Sequence, residues 1–489
     1  MNQIAFTKSH QALFTFYRVF AFVIFLLLAF ACASQKAPSL KPKSDAQLHY
    51  ELTPLLEQHQ TRVQVDLYFH GNERGQSELL LPSTWGNGKG LAKKIESVQV
   101  LEKNITLTHL NVQNRIRVTY PPKTPRVAIR YIYKLPQPPQ DFRNSSELRP
   151  FGNHEFIHLI GETFLIHPDW HPHTKRPVLV KWLLPAEWQG FTSLSASQAR
   201  LSSIDLKTLR QSVFVAGALF IKHLPNESAV LVAPQNVGLS APIINGIQKV
   251  LHNANQFYTA QNASPLLISL FPIGTRCCDY KGLSLHNALT LMLPKNLMPN
   301  TNLWHLLSHE LLHRWNGQVL KRKVNDEQLI WFNEGVTDFL ARKINYESGL
   351  ITLKDYVTGL NRALWRWQHT KPNQTRLSHN DHMMLRYAKG ELLSLQIDEI
   401  ITSDTKNKHS WLQTLKDMTQ MPAQEVSKEQ LHELILKNLK TKLSREALAK
   451  IQELLEHKNT QPPQNIGECI RLFKDQGILV YKYKNGICG

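Results

Sequence analysis

Apolar and polar residues alternate along the first half of the chain, in short runs that proline, glycine and asparagine separate. Alternation with a period of two is typical of strands that bury one face. The pattern indicates strands over 63–69, 105–107, 116–118 and 127–131, and further short strands around 156–160, 178–184 and 213–221. We therefore predict a β-rich N-terminal domain, of the sandwich type, over residues 45–225.

The spacing of apolar residues changes after Asn236. Positions 243, 247, 250, 251 and 257 share one face of a helix, and two short apolar strands over 266–271 and 289–293 follow. Helical patterns then continue to about residue 456. We predict a mostly helical domain with a small sheet over 226–460, and hence an α+β multidomain fold. A proline-containing linker leads to a C-terminal tail at 461–489, in which 478–483 is expected to form a strand.

The N-terminus carries an apolar run from Val19 to Ala31, which is too short to span a bilayer comfortably. It has the length of a secretory signal and ends in small residues before Cys32. This ending resembles a bacterial lipobox, in which the cysteine thiol is acylated. We expect a signal peptide over 1–31, a tether over 32–44, and a lipid anchor at Cys32 on the periplasmic or surface side of a bacterial envelope. Simple secretion and an uncleaved membrane anchor are open alternatives.

Charge and cysteine content agree with a location at a membrane outside the cytoplasm. The formal net charge is +19, but the basic residues are spread along the chain, with no zinc-finger spacing and no basic heptad helix. We therefore expect a basic surface near anionic lipid and no nucleic-acid partner. Beyond Cys32, an even set of cysteines remains, and an oxidising compartment would permit disulfides. Cys469 and Cys488 flank the tail and could be joined, although the sequence leaves the connectivity open.

The sequence HELLH at 309–313 carries the candidate chemistry. His309 and His313 share one face of a predicted helix, for which Asn302 is expected to be the N-cap, so both imidazoles can reach one zinc ion. Glu310 projects toward the open position at which water binds. A carboxylate there can accept the proton of the attacking water and then pass it to the leaving amine.

A second acidic segment completes the predicted metal site. Glu334 lies in the sequence WFNEGVTD at 331–338 and would be the third zinc ligand. Asp338 falls one helical turn later, where it could accept a hydrogen bond from the free nitrogen of a ligand histidine. Three protein ligands with one open position are typical of catalytic zinc. His286, His305 and His382 are expected at the surface or behind the ligands.

These two segments together resemble the gluzincins, the clan of thermolysin and aminopeptidase N. The sequences HRWN at 313–316 and WFNEG at 331–335 are most similar to the glycyl aminopeptidase family, as is YAKG at 387–390. The resemblance implies a thermolysin-like catalytic domain after the β-rich domain, and a role for Tyr387 as hydrogen-bond donor to the oxyanion. We expect Tyr387 at the start of its helix.

Two departures from the family bear on specificity. Members carry a segment like GGLEH on the edge strand beside the zinc, and its glutamate binds the free amine of the substrate. The counterpart here, KGLSLHN at 281–287 and running into 289–292, has Ser284 at that position, as a candidate substrate contact without charge. The resemblance also implies a C-terminal PDZ domain, and we expect none within the tail at 461–489.

The sequence therefore predicts a zinc metallopeptidase acting on a peptide or protein substrate, aminopeptidase-like, with endopeptidase activity also open. The main alternative is a metallopeptidase fold retained by a lipoprotein as a binding scaffold. A third is another zinc hydrolase reaction, such as epoxide opening. Glu310 favours the peptidase, because a purely structural zinc site needs no base.

Overall fold

The structure, a computed structural model, describes residues 46–483 except 58–59, 87, 111–113, 140–149, 195–198, 259–264, 277–279, 324–326, 370–378, 423, 458–460, 468 and 476–477. The predicted signal peptide, tether and lipid anchor at Cys32 lie outside the described residues, so they stay predictions. Within the described part of the chain, no helix is long and apolar enough to cross a membrane.

The N-terminal half is built mainly from strands. Its elements, in chain order, are β1 (Leu48–Glu57), β2 (Gln60–Phe69), β3 (Gln76–Leu80), β4 (Thr84–Trp85), β5 (Gly88–Lys89), β6 (Ile95–Val100), β7 (Thr106–His109), β8 (Arg115–Thr119), β9 (Val127–Lys134), β10 (Phe151–Gly152), β11 (Phe156–Ile160), α1 (Gly161–Phe164), β12 (His167–Pro168), β13 (Arg176–Trp182), β14 (Gln189–Thr192), β15 (Ala199–Ile204), α2 (Leu206–Arg210) and β16 (Val213–Gly217).

Three sheets of this half share one hydrophobic core. The largest has the strand order β15-β13-β1-β2-β9-β6, and the other two have the orders β12-β3-β8-β7 and β10-β11-β16-β14. Alternate residues of β1 are buried, beginning with Leu48, Tyr50 and Leu52, as the period-two pattern requires. Buried side chains from all three sheets pack in a single cluster. This sheet-rich half confirms the N-terminal part of the predicted fold class.

The second half combines a five-stranded sheet with long helices. Its elements are β17 (Leu219–Leu224), β18 (Ala229–Pro234), α3 (Ala241–Tyr258), β19 (Leu266–Gly274), β20 (Lys281–Leu285), β21 (Ala288–Pro294), α4 (Thr301–Leu312), β22 (Leu320–Arg322), a π-helix (Trp331–Val336), α5 (Thr337–Glu347), α6 (Leu353–His369), α7 (His379–Asp404), α8 (Trp411–Met418), β23 (Gln424–Val426), α9 (Lys428–Leu439), α10 (Arg445–His457), β24 (Asn465–Ile466), β25 (Ile470–Asp475) and β26 (Ile478–Tyr483). Short 3₁₀ helices span Leu91–Lys94, Pro225–Glu227 and Glu327–Leu329.

The five-stranded sheet has the order β17-β18-β19-β21-β20, which leaves β20 at one edge. The strand β19 is buried along almost its whole length, so both faces of the sheet must be covered. One face packs against the long helices. On the other face, Phe271 and Met292 join Phe156 and Val215 of the N-terminal half in a buried cluster. The helical second half with its small sheet confirms the rest of the predicted fold class.

The pairing of β17 with β18 places residues 219–224 in the sheet of the second half. The predicted domain limit at 225 falls after this strand, and the domain limits stay predictions. The sheet lies next to the helix that carries the candidate site. Its edge strand β20 contacts α4, the helix that carries the histidine motif.

The C-terminal tail returns to α6. Asn361 Oδ1 accepts a hydrogen bond from Tyr481 N at 2.7 Å, and Asn361 Nδ2 donates to Tyr481 O at 3.0 Å. Gln368 binds Leu479 N and O in the same way, at 2.7 and 3.0 Å. The two side-chain amides thus form hydrogen bonds with the backbone of the edge strand β26, as a neighbouring strand would. Cys469 is disulfide-bonded, but the other cysteines lie outside the described residues, so its pairing with Cys488 stays a prediction.

Candidate metal centre and active site

The helix α4 carries both histidines of the motif at its C-terminal end. Its N-cap is Asn300, whose Oδ1 accepts a hydrogen bond from Leu303 N at 3.0 Å. The expectation that Asn302 caps this helix is therefore wrong. Asparagine is a favoured N-cap residue, so either position was possible. Asn300 has the extended backbone of an N-cap, whereas Asn302 already lies inside the helix. His309 lies in the last turn and His313 is the C-cap residue in helical conformation, so their one-turn spacing is preserved.

Three potential ligand atoms converge on one point. His309 Nε2 and His313 Nε2 are 3.1 Å apart, and Glu334 Oε2 lies 3.3 Å from the first and 3.5 Å from the second. Zinc binds such atoms at about 2.0–2.1 Å in a tetrahedral arrangement, so its ligands are separated by roughly 3.3 Å. The observed separations match this value. The donor set of two imidazoles and one carboxylate therefore fits a zinc ion.

Glu334 reaches the histidines from the π-helix that precedes α5. A π-helix leaves carbonyl groups outside the normal hydrogen-bond ladder, and such segments are frequent at functional sites. Asn316, fully buried, supplies the missing donors, because its Nδ2 lies 2.8 Å from Phe332 O and 3.2 Å from Asn333 O. This amide also contacts Thr337 Oγ1 at 3.0 Å. The sequence analysis missed this role of Asn316, although it lies in the motif HRWN.

The second ring nitrogens of the two histidines are also bound. His309 Nδ1 lies 2.8 Å from Asp338 Oδ1, and His313 Nδ1 lies 2.9 Å from Asn316 O. Both partners are acceptors, so each Nδ1 donates its proton and each Nε2 presents a lone pair toward Glu334. This is the tautomer that a metal ligand requires. Asp338 thus lies where the sequence placed it relative to the histidines.

Electrostatics at this point favour a cation. Burial opposes ionisation of Glu334, but the two histidines hold the pKa of its carboxyl well below its usual range. Burial likewise opposes protonation of His309, but Asp338 and Glu334 raise its pKa well above the ordinary value. The same balance, with Glu334 as the main partner, raises the pKa of His313. A buried group of carboxylates that attracts protons onto nearby imidazoles also attracts a metal ion.

The side chain of Glu310 extends from α4 toward the edge strand β20. Burial raises the pKa of its carboxyl, while His313 and His309 oppose the shift. The carboxylate packs against Gly282 on β20 so closely that a Cβ there would lie 2.4 Å from Glu310 Oε1. The sequence analysis did not single out Gly282, which gives Glu310 its space.

Ser284 lies on β20 and pairs with Leu289 of β21. The predicted edge strand is therefore present over 281–285, but the segment 289–292 belongs to the adjacent inner strand and not to the edge. His286 and Asn287 form the turn between them. Ser284 is half-buried. It has a hydroxyl group at the position where members of the resembled family carry a glutamate. The structure therefore provides an edge for an extended chain without an anionic group at position 284.

Tyr387 lies in the third turn of α7, because this helix begins at His379. The expectation that it opens the helix is wrong. Its ring stacks on that of His309 at 6.1 Å between centroids, and its hydroxyl is hydrogen-bonded to Glu334. Burial and the nearby Glu334 raise the pKa of Tyr387 well above its ordinary value, which keeps the phenol protonated as a donor.

Two glycines bring α7 against the π-helix. A Cβ on Gly390 would lie 2.1 Å from Trp331 O and 2.8 Å from Gly335 Cα, and one on Gly335 would lie 2.4 Å from Gly390 Cα. No larger residue fits at either position without moving a backbone. This contact brings together the two elements that carry Glu334 and Tyr387. Sequence reasoning placed both glycines in motifs but missed their contact.

Comparison with known proteins agrees with this geometry. Residues 302–429 match the M61 glycyl aminopeptidase family. Over this segment the chain is similar to the gluzincin peptidases of the M61 family. The match includes the histidine motif, Glu334 and Tyr387. It supports an aminopeptidase-like zinc peptidase with zinc as its cofactor. No curated protein is significantly similar to the chain in sequence.

Solved structures share the fold at low sequence identity. An aminopeptidase N family protein from Idiomarina loihiensis is 17% identical, with a TM-score of 0.63, over 76% of this chain and 70% of that one. An M1 zinc metallopeptidase variant from Deinococcus radiodurans, bound to a Tyr-Ser-Ala substrate, is 16% identical, with a TM-score of 0.51, over 87% and 97%. Leukotriene A4 hydrolase from Saccharomyces cerevisiae is 13% identical, with a TM-score of 0.53, over 88% and 72%. At these identities the likeness concerns the fold.

Proposed function

We propose that the protein is a zinc-dependent metallopeptidase that hydrolyses peptide bonds outside the cytoplasm, with His309, His313 and Glu334 as its metal ligands. The observation that carries the proposal is the convergence of three potential ligand atoms, which lie 3.1–3.5 Å from one another. The buried carboxyl of Glu310 follows His309 directly on α4. A structural zinc site would have four protein ligands and no free base.

Zinc held by His309, His313 and Glu334 would supply a Lewis acid that can polarise a carbonyl and lower the pKa of water. Glu310 is then the proton acceptor for the attacking water, and it later returns the proton to the leaving amine. Its burial supports this role, because a raised pKa brings a carboxyl closer to the range in which it can both take and give a proton. Gly282 and the helix α4 hold this carboxylate in place.

Tyr387 serves as donor to the oxyanion of the tetrahedral state. Its phenol is protonated and is hydrogen-bonded to Glu334. A fixed hydrogen-bond donor at a point where charge develops lowers the barrier without rearrangement. The stacking of the ring on His309 supports this placement, because it brings the phenol next to a proposed metal ligand.

The edge strand β20 is the proposed binding surface for an extended peptide, through backbone hydrogen bonds. Ser284 would contact the substrate without offering a negative charge to a terminal amine. Cleavage within chains, or trimming with altered preference, is therefore compatible with the site, and the test below separates them. A location outside the cytoplasm is supported by the signal-like N-terminus and by the disulfide at Cys469.

The test is cleavage of a mixed peptide library, read by mass spectrometry, with wild type and Glu310→Gln at equal zinc content. We expect products with wild type only. Stepwise loss of N-terminal residues would identify an aminopeptidase, whereas internal cuts would identify an endopeptidase. If zinc is bound stoichiometrically and neither protein cuts any peptide, the proposal fails and the binding scaffold takes its place.

A further inference from the structure

His305 lies one turn before His309 on α4 and contacts the same carboxylate. His305 Nε2 lies 2.9 Å from Asp338 Oδ1, and His309 Nδ1 lies 2.8 Å from that same oxygen. One oxygen atom of Asp338 thus accepts two imidazole N–H groups from successive turns of one helix. The sequence analysis expected His305 at the surface or behind the ligands, and the structure places it behind His309.

The tautomer of His305 follows from its partner. A carboxylate oxygen only accepts, so His305 carries its proton on Nε2. Its Nδ1 is buried and has no hydrogen-bond partner among the described residues. A buried polar atom without a partner destabilises a fold. An apolar residue at 305 would avoid this loss, since the neighbouring positions 303, 304, 306 and 307 are all apolar. The hydrogen bond to Asp338 is therefore the property that distinguishes a histidine here.

Among the described residues, only His305 and His309 donate hydrogen bonds to the side chain of Asp338. Asp338 is 8% exposed, in the first turn of α5. The guanidinium of Arg342 donates its Nε to Glu391 at 2.5 Å and acts on Asp338 through space. The two imidazole N–H groups are the donors that hold the position of this carboxylate oxygen. Without His305, the only remaining donor to the Asp338 carboxylate would be His309. That carboxylate must itself fix the orientation of the His309 ring.

We propose that His305 is a positioning residue for the metal site, which holds Asp338 Oδ1 so that His309 keeps its proton on Nδ1 and its lone pair on Nε2. This inference rests on the proposed zinc site. It assigns no contact between His305 and substrate or metal. A second ion between His305, His309 and Asp338 is the competing explanation, because these three groups also cluster. It would require His309 to lose its Nδ1 proton, whereas the 2.8 Å contact has the length of a charge-assisted hydrogen bond.

The experiment measures zinc affinity of the full chain by competition with a chromophoric chelator, for wild type and three variants. His305→Leu removes the donor. His305→Gln keeps one, because the glutamine Nε2 lies at about the reach of the histidine Nε2. Ser308→Ala is the matched control, because Ser308 is buried on the same helix and donates to Asn345 Oδ1 at 2.8 Å, not to Asp338. Unfolding temperature is recorded for all four proteins without zinc.

Removal of groups that orient metal ligands typically weakens metal binding about 10- to 100-fold. We expect His305→Leu to weaken zinc binding about 10-fold, since it acts through Asp338, and His305→Gln to stay within about 3-fold of wild type. Ser308→Ala should lower the unfolding temperature and leave zinc affinity unchanged. If His305→Leu lowers only the unfolding temperature, the positioning role is refuted. A second bound zinc that disappears in His305→Leu would also refute it. If wild type itself binds no zinc, the proposed function fails, which is a separate result.

Discussion

The contact between Gly282 and Glu310 allows the candidate base to be disturbed without touching a metal ligand. In Gly282→Ala the new Cβ would lie 2.3 Å from Glu310 Cγ, 2.4 Å from Glu310 Oε1 and 2.5 Å from Glu310 Cδ. Ordinary contact begins at about 3.4 Å, so the carboxylate must retreat by about 1.0 Å (3.4 − 2.4). The side chain moves more easily than the strand, because it ends in rotatable bonds and β20 is paired along its length with β21.

A displacement of about 1 Å at a reacting group can reduce a rate about 10²-fold, and a general base contributes about 10²- to 10⁴-fold in total. We therefore expect kcat of Gly282→Ala to fall about 10²-fold on a peptide that wild type cleaves. Zinc content should not change, because Glu310 is not a ligand. The change in rate corresponds to about 2.7 kcal/mol of transition-state stabilisation.

The assay measures kcat and KM on that peptide, bound zinc by elemental analysis, and the unfolding temperature. Gly238→Ala is the matched control, since a Cβ at Gly238 meets nothing within 4 Å. It should behave as wild type in all three measurements. The reasoning is refuted if Gly282→Ala keeps kcat within about 3-fold of wild type with full zinc. Loss of zinc in this variant would show that α4, which carries His309, had moved together with the carboxylate.

Three further predictions concern separate parts of the structure. Tyr387→Phe should retain zinc and lower kcat about 10²- to 10³-fold, because it removes the proposed oxyanion donor; an unchanged kcat would exclude that role. Gly390→Ala should lower the free energy of unfolding by about 1–3 kcal/mol and reduce kcat/KM, because its Cβ would lie 2.1 Å from Trp331 O; denaturant unfolding beside Gly238→Ala tests this. His158 is fully buried, and burial lowers its pKa from 6.5 to about 3. The unfolded state binds its proton more readily, so this residue should remove about 1.4 kcal/mol of stability per pH unit as the pH falls below 6.5. Denaturant unfolding at pH 7 and pH 5 should show this loss in wild type relative to His158→Gln, and equal pH slopes would contradict it.

Features set by local periodicity could be predicted from the sequence. Helical spacing alone places His309 and His313 on one face, and the spacing of Glu334 from this pair along the chain predicted a third potential ligand atom. The same reasoning predicted the position of Asp338 one turn beyond Glu334. Alternation and apolar runs gave the β-rich first half and the mostly helical second half. Apart from Glu334, which was predicted from its spacing from the histidine pair, each of these inferences depends on neighbours within one or two turns of a helix or along one strand.

Features that depend on long-range approach could not be predicted in this way. The contact between Gly335 and Gly390 joins two segments distant in sequence, and the absence of a side chain leaves no chemical signal for it. The same holds for Gly282 against Glu310. The sharing of Asp338 Oδ1 by His305 and His309 requires the packing of α5 on α4. The sequence analysis expected α7 to begin at Tyr387, but the helix begins at His379. Its first two turns contain no recognised motif.

The central claim is that one zinc ion, held by His309, His313 and Glu334, works with Glu310 to cleave peptide bonds. The most direct measurement titrates zinc into metal-free protein while bound metal and peptide cleavage are recorded in the same samples. For wild type, the rate should rise in proportion to bound zinc and level off at one zinc per chain. Glu310→Gln should bind the same zinc with a rate at least about 10²-fold lower. Cleavage that does not depend on zinc, or equal rates for the two proteins, would contradict the account.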